Sequence, residues 1–410
     1  MQIGSTLSLT IQDLAFGGEG VGRAEQCVVF VPFAAVGDQL LVEITEIRKN
    51  FARGKILQIQ VPGPDRTEPP CPHYGKCGGC QYQHLTYQAE FQAKQRQLTE
   101  VLRRLGSLKD LPPLDCAIPA PQEYGYRNKL RLEAKAVPVE TGMPAQADYG
   151  YYATDNRTFL RIHGCRLAHP LLNKALPTAI KSDWGKANAK RKTPQGPAAL
   201  TLRVDSQEQI KFYFGFSPSR LGWLHEELAG VPFRVPAGSF WQVNPAVASQ
   251  LLQTVDQWIA PLPAETLVDA YCGAGTFSCA LTHPFRERLL MENDRAATEA
   301  AQYNLQQLMR GCQILTEPTE QALPRRLPKY PAASTLVVLD PPRTGCQEKV
   351  LQCLAQHSPA WILYVSCNPA TLARDLKYLT TTGGYSLRKL GFFDMFPRTA
   401  HFETAVLLQR

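Results

Sequence analysis

After Phe233 the sequence alternates short apolar runs with segments of helical character, and this pattern most restricts what the chain can fold into. The apolar runs are TLVDAY, RLLMEN, STLVVLD, WILYVSC and FETAVLLQ, which begin at residues 266, 288, 334, 361 and 402. Strands that alternate with helices favour a mostly parallel sheet with helices on both faces. We therefore predict a doubly wound, Rossmann-like α/β domain over residues 233–410.

The remaining residues predict two further units, because 410 residues are too many for one ordinary core. Residues 1–60 contain short alternating runs separated by glycine-bearing turns, which is typical of a small β-barrel. Pro62, Pro64, Pro69 and Pro70 follow and cannot continue a sheet ladder, so the boundary is placed there. Residues 61–232 are predicted to hold a cysteine cluster, an amphipathic helix from Tyr87 to Leu105 and a middle α+β domain.

The composition of the chain indicates the cellular location and the type of partner of this multidomain α/β protein. The N-terminal residues alternate apolar and polar side chains and lack the apolar core of a secretory signal, and no run approaches the roughly 20 apolar residues of a membrane span. We expect a cytoplasmic protein with no membrane contact, in which the twelve cysteines stay reduced and do not form a disulfide framework. A formal net charge of +8 weakly favours a polyanionic partner.

Polar groups stand at the ends of successive predicted strands in the C-terminal domain. A glycine loop, Gly273-Ala274-Gly275, follows the first strand, Glu292 ends the next, and Asp340 leads into Pro-Pro-Arg after a third. Glycines let a backbone approach a ligand closely, and a carboxylate at a strand end can accept hydrogen bonds from two ribose hydroxyls. The combination predicts a pocket for an adenosine-containing cofactor.

Cys367 follows a fourth strand, in the run YVSCNP. At that position its thiol can project into the same crevice as the cofactor. A buried apolar thiol is the common state of cysteine, so the residue type alone leaves both interpretations open.

Four segments, DAYCGAGTF, LDPPRTG, YVSCNPATLARDL and PRTAHFETAVLL, resemble the RNA 5-methyluridine methyltransferase family in order and spacing. FWQVNP and YRNKLRL are similar to further segments of that family, and GEGVGR and FVPFAAVGD resemble the turns of a TRAM domain, an OB-like barrel. The resemblance covers nearly the whole chain. It implies a class I methyltransferase that uses S-adenosylmethionine to form 5-methyluridine in RNA, with ribosomal RNA favoured over transfer RNA and no obligate protein partner.

The same resemblance assigns roles to residues. Carbon 5 of uracil is too weak a nucleophile to attack a sulfonium methyl group unaided, so a thiolate adds to carbon 6 first and a base later removes the carbon 5 proton. By resemblance Cys367 is the nucleophile and Glu403 is the proton acceptor. The S-adenosylmethionine pocket is assigned to four residues, Gln242, Tyr271, Glu292 and Asp340.

Cys71, Cys77 and Cys80 form a tight, glycine-rich cluster, and Cys165 lies far downstream. Four thiolates suit either zinc or an iron-sulfur cluster, and the spacing does not separate the two. The resemblance implies a [4Fe-4S] cluster that takes no part in methyl transfer. Its implied role is to hold a domain together or to shape the protein surface that contacts RNA.

The N-terminal barrel carries the predicted RNA groove. Arg48, Lys49, Arg53 and Lys55 supply positive charge there, and Phe51 can stack on an unpaired base. The target uridine must be unstacked to reach a buried thiol, so a single-stranded loop or an extruded nucleotide is the expected substrate.

Three other functions compete with this interpretation. A radical S-adenosylmethionine enzyme typically needs C-x-x-x-C-x-x-C, whereas five residues separate Cys71 from Cys77 here. An amino-group methyltransferase would use the Asp-Pro-Pro-Arg motif without a nucleophilic cysteine. A non-catalytic RNA-binding factor would retain the barrel and the cluster without turnover. Deoxyadenosine production tests the first, and a Cys367→Ala variant separates the other two.

Overall fold

The computed structural model describes residues 1–24, 26–108, 110–138, 145–191, 196–217, 221–306 and 312–410. Within these ranges, no helix combines the length and the apolar character that crossing a membrane requires. The cytoplasmic location stays a prediction.

The N-terminal residues form an antiparallel-rich sheet with one parallel pair. Its strands are β1 (Thr6–Thr10), β2 (Asp13–Leu14), β3 (Gly20–Ala24), β4 (Cys27–Val31), β5 (Gln39–Ile47) and β6 (Phe51–Val61), in the order β1-β5-β6-β4-β3-β2. The GEGVGR segment, which the sequence predicts as a turn, supplies β3. Gly22 is required in that strand because a Cβ there would lie 2.6 Å from the side chain of Leu9 in the barrel core.

The next part of the chain contains a long helix and a second sheet. Its elements are α1 (Tyr87–Gly106), β7 (Cys116–Ile118), β8 (Lys129–Val137), β9 (Gln146–Tyr152), β10 (Phe159–Arg161), α2 (Pro170–Lys181), α3 (Asp183–Ala189), β11 (Leu200–Val204), β12 (Ile210–Phe214), β13 (Trp223–Leu228) and β14 (Val231–Pro236). The sheet order is β10-β9-β8-β11-β12, and β13 pairs with β14 as a hairpin. Helix α3 lies within the basic stretch 182–197, of which residues 192–195 lie outside the described residues.

The C-terminal residues form the predicted doubly wound domain. Its elements are α4 (Pro245–Ile259), β15 (Thr266–Ala270), α5 (Thr276–Ala280), β16 (Glu287–Glu292), α6 (Arg295–Asn304), β17 (Cys312–Thr316), α7 (Thr319–Arg326), β18 (Thr335–Leu339), α8 (Glu348–His357), β19 (Trp361–Ser366), α9 (Pro369–Thr381), β20 (Ser386–Phe393) and β21 (Glu403–Gln409). The sheet order is β17-β16-β15-β18-β19-β21-β20-β7, with β21 antiparallel to both neighbours. This order confirms the predicted class of fold.

Two elements from the 61–232 segment pack into this C-terminal core. Leu98 and Leu102 of α1 share a buried cluster with residues of β15 and β18, and α1 contacts α9. Strand β7 extends the sheet by parallel pairing with β20. The division at residues 61 and 233 stays a prediction, but α1 and β7 lie against the C-terminal sheet rather than the middle one.

Candidate active site

The glycine loop follows β15 as predicted. Tyr271, Gly273 and Gly275 all have positive φ, at 66°, 54° and 82°, so the chain turns sharply before α5. Glycine is favoured at Gly275 for a second reason, because a Cβ there would meet the side chain of Ala301 at 3.4 Å. Tyr271 is half-buried and packs partly against the core beneath the sheet.

Glu292 lies beside this loop at the end of β16. Its Oε2 accepts a hydrogen bond from the Gly273 N–H at 3.1 Å, and its Oε1 accepts one from the Asp294 N–H at 2.8 Å. A carboxylate oxygen has further lone pairs, so Glu292 can still accept hydrogen bonds from a ligand. The contacts fix the carboxylate at the edge of the sheet, where adenosine-containing ligands bind in such folds.

Asp340 follows β18 and enters the Pro-Pro turn. Burial raises the pKa of its carboxyl group to about 7, and the nearby Asp269 raises it further in the same direction. The loop after Asp340 is held against α9, since the Asn368 side-chain N–H donates to the Arg343 carbonyl at 2.9 Å. Arg343 was not singled out by residue type, although it stands in the LDPPRTG motif.

Cys367 follows β19 and is half-buried, and Asn368 caps α9 directly after it. Burial raises the pKa of the Cys367 thiol to about 12, Glu403 and Asp340 raise it too, and Arg343 opposes them. A thiol in this state is protonated at neutral pH and becomes nucleophilic only when its proton is removed.

Glu403 is the first residue of β21. Ser366 pairs with Thr404 across the antiparallel ladder, so Cys367 and Glu403 are the next two opposing positions. Glu403 is 8% exposed, and burial, followed by Asp340, raises the pKa of its carboxyl group far above the usual range. Its Oε2 has no hydrogen-bond partner among the described residues. An unpaired buried carboxyl oxygen is available to a substrate.

Gln242 lies before α4 and lines a small cavity together with Glu403, Val365 and Met395. The fold therefore brings a predicted cofactor residue next to the predicted base. His401, which sequence reasoning did not nominate, is half-buried near Arg343, and burial lowers its pKa to about 4.

Cys71, Cys77, Cys80 and Cys165 line one cavity of about 470 Å³. The Cys77 N–H donates to the His73 carbonyl at 2.8 Å, and Cys77 pairs with Ala153 in an isolated bridge, so the loop is fixed against the middle domain. Burial raises the pKa of Cys77, and the neighbouring thiols of Cys165 and Cys71 raise it further. Within the described ranges, no three His, Cys, Asp or Glu side chains are grouped closely enough to hold one metal ion.

In the predicted RNA groove of the barrel, most of the basic side chains have acidic neighbours. Arg53 pairs with Glu19 at 3.0 Å, and Lys55 pairs with Glu43 at 2.9 Å. The Phe51 ring packs edge-on against Phe30, with centroids 5.6 Å apart. RNA contact here requires exchange of these ion pairs, and the groove stays a prediction.

The order of the C-terminal sheet and the polar groups at the carboxyl ends of its strands define a class I methyltransferase. The family model for tRNA (uracil-5-)-methyltransferases matches residues 228–410, and the TRAM domain model matches residues 1–57. Uncharacterized RNA methyltransferases of Thermosynechococcus vestitus and Nostoc sp. are 34% and 33% identical to the chain. Each comparison covers 99% of this chain, and 98% and 96% of the relative.

The chain therefore belongs to the family of S-adenosylmethionine-dependent RNA (uracil-5-)-methyltransferases with an N-terminal TRAM domain. A solved structure with the same fold is the tRNA (uracil-54, C5)-methyltransferase of Pyrococcus abyssi in complex with S-adenosyl-L-homocysteine. Its TM-score is 0.71 at 21% identity, and the match covers 98% of this chain and 100% of that one.

Proposed function

We propose that the protein methylates carbon 5 of a uridine in RNA through a covalent bond between Cys367 and carbon 6 of the base, with Glu403 as the proton acceptor. The carrying observation is that Cys367 directly follows β19 and Glu403 begins β21, each one position beyond the paired residues Ser366 and Thr404, and that the charge of Glu403 acts on the Cys367 thiol. Side chains at opposing positions of an antiparallel pair lie on the same face of the sheet. A thiol and a carboxyl group can thus reach one flat base between them.

The residues act in sequence on the base. The Cys367 thiol gives up its proton to solvent, and the resulting thiolate adds to carbon 6, which places electron density on carbon 5. S-adenosylmethionine supplies the methyl group as an electrophile. Glu403 then removes the proton from carbon 5, and elimination breaks the bond between the sulfur and carbon 6, which restores the thiolate.

The residues around the strand ends fit S-adenosylmethionine. Glu292 is held beside the glycine loop with lone pairs left for ribose hydroxyls, and Gly273 presents backbone with no Cβ. Gln242, Tyr271 and Asp340 complete the proposed pocket. Gln242 and Asp340 lie near the reacting groups, because Gln242 lines a cavity with Glu403 and the charge of Asp340 acts on both Cys367 and Glu403.

In this proposal Cys71, Cys77, Cys80 and Cys165 hold a [4Fe-4S] cluster, in which each thiolate binds a different iron atom, so the four thiols need not converge on a single ion. In support, all four thiols line one cavity although Cys165 is distant in sequence, and thiolate is the ligand type of such clusters. The cluster lies outside the methyl transfer step, and the cysteines anchor the Cys71–Cys80 loop to the middle domain.

Nucleoside mass spectrometry tests the reaction. The protein is incubated with S-adenosylmethionine and either unmodified ribosomal RNA or unmodified transfer RNA. Ribosomal RNA is the substrate that we favour. Both RNAs are tested because the family model and the Pyrococcus abyssi enzyme are named for tRNA. We expect 5-methyluridine with the native protein, none with Cys367→Ala, and an unchanged yield with Cys353→Ala, which alters a buried cysteine of α8. Methylation that persists in Cys367→Ala contradicts the covalent mechanism and favours an amino-group methyltransferase.

A further inference from the structure

Three consecutive residues before β8 contact three different parts of the proposed machinery. The Tyr126 hydroxyl donates to the Pro397 carbonyl at 3.0 Å, in the loop that leads to Glu403. The Arg127 side chain lines the cysteine cavity. The Asn128 side-chain N–H donates to the Gln242 carbonyl at 2.9 Å.

The backbone of the segment is tied to the loop that carries Cys165. The Gly125 N–H donates to the Arg166 carbonyl, the Arg127 N–H donates to the Leu167 carbonyl, and the His169 N–H donates to the Arg127 carbonyl, each at 2.9 Å. Arg127 and Ala168 also form a parallel bridge. A movement of the Cys165 loop therefore moves Arg127.

The charge of Arg127 suits its position. Its half-buried guanidinium faces a cavity lined by four cysteines, and it acts electrostatically on both Cys80 and Cys165. A cation beside ligated thiolates offsets their negative charge and fixes the orientation of the loop that holds them. Arg127 is thus a direct contact between the segment and the cysteine site.

Asn128 connects the segment to the cofactor side. Besides the side-chain bond to Gln242, its backbone N–H donates to the Val243 carbonyl at 3.1 Å. Asn128 is 6% exposed, so both bonds form away from water, where an unpaired polar group is costly. The two contacts set the backbone position of Gln242.

We propose that Tyr126, Arg127 and Asn128 form a positioning segment through which the cysteine site supports cofactor binding at Gln242. The inference rests on the proposed function, namely a [4Fe-4S] cluster at the four cysteines and S-adenosylmethionine at Gln242. Coupling between two sites is measured as the change that occupancy of one makes in the affinity of the other.

The test measures the Kd of S-adenosylhomocysteine by calorimetry on the full chain, together with iron content and visible absorbance, before and after iron is removed under anaerobic conditions. In the native protein we expect iron removal to weaken binding about tenfold, the scale of one hydrogen bond. We expect Asn128→Ala to retain its iron, to bind about tenfold more weakly from the start, and to lose little further affinity when iron is removed.

Asn188→Ala is the matched control. Asn188 is another buried asparagine of the middle domain, 7% exposed, but its side chain bonds Tyr149 and Ala198 and not the cofactor side. In Asn188→Ala, removal of iron should weaken the binding of S-adenosylhomocysteine as much as it does in the native protein. If Asn128→Ala does not fold, Asn128→Asp replaces it in the test, because aspartate removes the same donor and keeps the shape of the side chain.

The outcomes separate the two proposals. Native protein that retains no iron after reconstitution overturns the cluster and the coupling together. Native protein that holds iron but binds S-adenosylhomocysteine equally well without it overturns the coupling alone. An iron dependence that persists in both Asn128 variants also overturns it, because the dependence then does not pass through Asn128.

Discussion

Glu403 is the residue whose environment bears most directly on chemistry. Replacement by glutamine keeps the shape of the side chain but removes the proposed base, so in the proposed mechanism the methylated adduct cannot lose its carbon 5 proton. We expect Glu403→Gln to lower turnover at least about 100-fold and to leave RNA covalently attached to Cys367. A denaturing gel detects the attached RNA. Glu227→Gln, at an exposed position of β13, should show neither effect. Turnover of Glu403→Gln at the native rate would exclude Glu403 as the base.

The pH dependence follows from the same environment. Burial raises the pKa of both Cys367 and Glu403, and the reaction uses the thiolate and the carboxylate, the forms present above each pKa. In the proposed mechanism, kcat/KM should therefore rise with pH through the neutral range and continue to rise toward the pKa of Cys367, at about 12. Arg343 lowers the pKa of Cys367, so Arg343→Gln should displace this rise to higher pH and reduce the neutral rate about tenfold. A profile that falls with pH would contradict the assigned protonation states.

At the scale of elements, α1 meets the loop between β20 and β21 through buried charges. Lys94 of α1 donates to Glu90 at 2.7 Å and to Asp394 at 2.8 Å, and all three side chains are fully buried. Arg398 joins them by donating its backbone N–H to Glu90. Burial alone would lower the pKa of Lys94, but the carboxylates of Asp394 and Glu90 raise it overall. The cluster fixes the loop that leads to Glu403.

Removal of the central cation should leave the buried Asp394 carboxylate without its cationic partner, whereas Glu90 keeps its ion pair with Arg398, at 3.3 Å. We expect Lys94→Met to lower the free energy of unfolding by about 3–5 kcal/mol. In contrast, Arg104→Met, which removes an exposed ion pair with Glu100 on the same helix, should cost less than about 1 kcal/mol. Urea denaturation followed by circular dichroism measures both. Equal losses of unfolding free energy in the two variants would show that the buried charges around Lys94 stabilise the fold no more than an exposed ion pair does.

The sequence predicted those helices and strands whose own residues carry a clear apolar pattern. Helix α1 spans Tyr87–Gly106 against a predicted Tyr87–Leu105, and β18 and β19 match apolar runs that end in polar motifs. Strand β20 was not identified, because SLRKLGFF alternates weakly and is fixed by pairing with β21. Strand β7 was missed for the same reason, since its three residues gain their structure only at the edge of the distant sheet.

At the scale of the whole molecule, the motifs nominated a candidate site but did not predict the contacts that surround it. Cys367 and Glu403 were assigned by resemblance, and only the fold shows that one follows β19 and the other begins β21, next to the paired Ser366 and Thr404. Local patterns carry no information on contacts between distant segments, and so α1 was assigned to the middle segment although Leu98 packs in the C-terminal core. The contacts of Asn128 with Gln242 were equally invisible in the sequence.

The barrel is attached to the C-terminal domain through Gln97 of α1. Its side-chain N–H group donates to the carbonyls of Leu14 and Ala15, at 3.1 and 2.9 Å, and its oxygen accepts from Tyr82. Loss of this amide removes one donor from each of the two barrel carbonyls, and the Ala15 carbonyl keeps its bond from the Gly18 N–H at 2.9 Å. We expect this loss to weaken docking of the barrel and not the cofactor pocket.

Because the barrel is the predicted RNA-binding unit, Gln97→Ala should raise the KM for RNA several-fold, on the scale of about 1 kcal/mol, and leave the Kd of S-adenosylhomocysteine unchanged. Gln92→Ala, at an exposed position of the same helix, should change neither. Steady-state kinetics with RNA as the varied substrate and calorimetry with the cofactor product measure the two quantities. A weaker Kd with an unchanged KM would mean that Gln97 supports the methyltransferase core and that the barrel docks through other contacts.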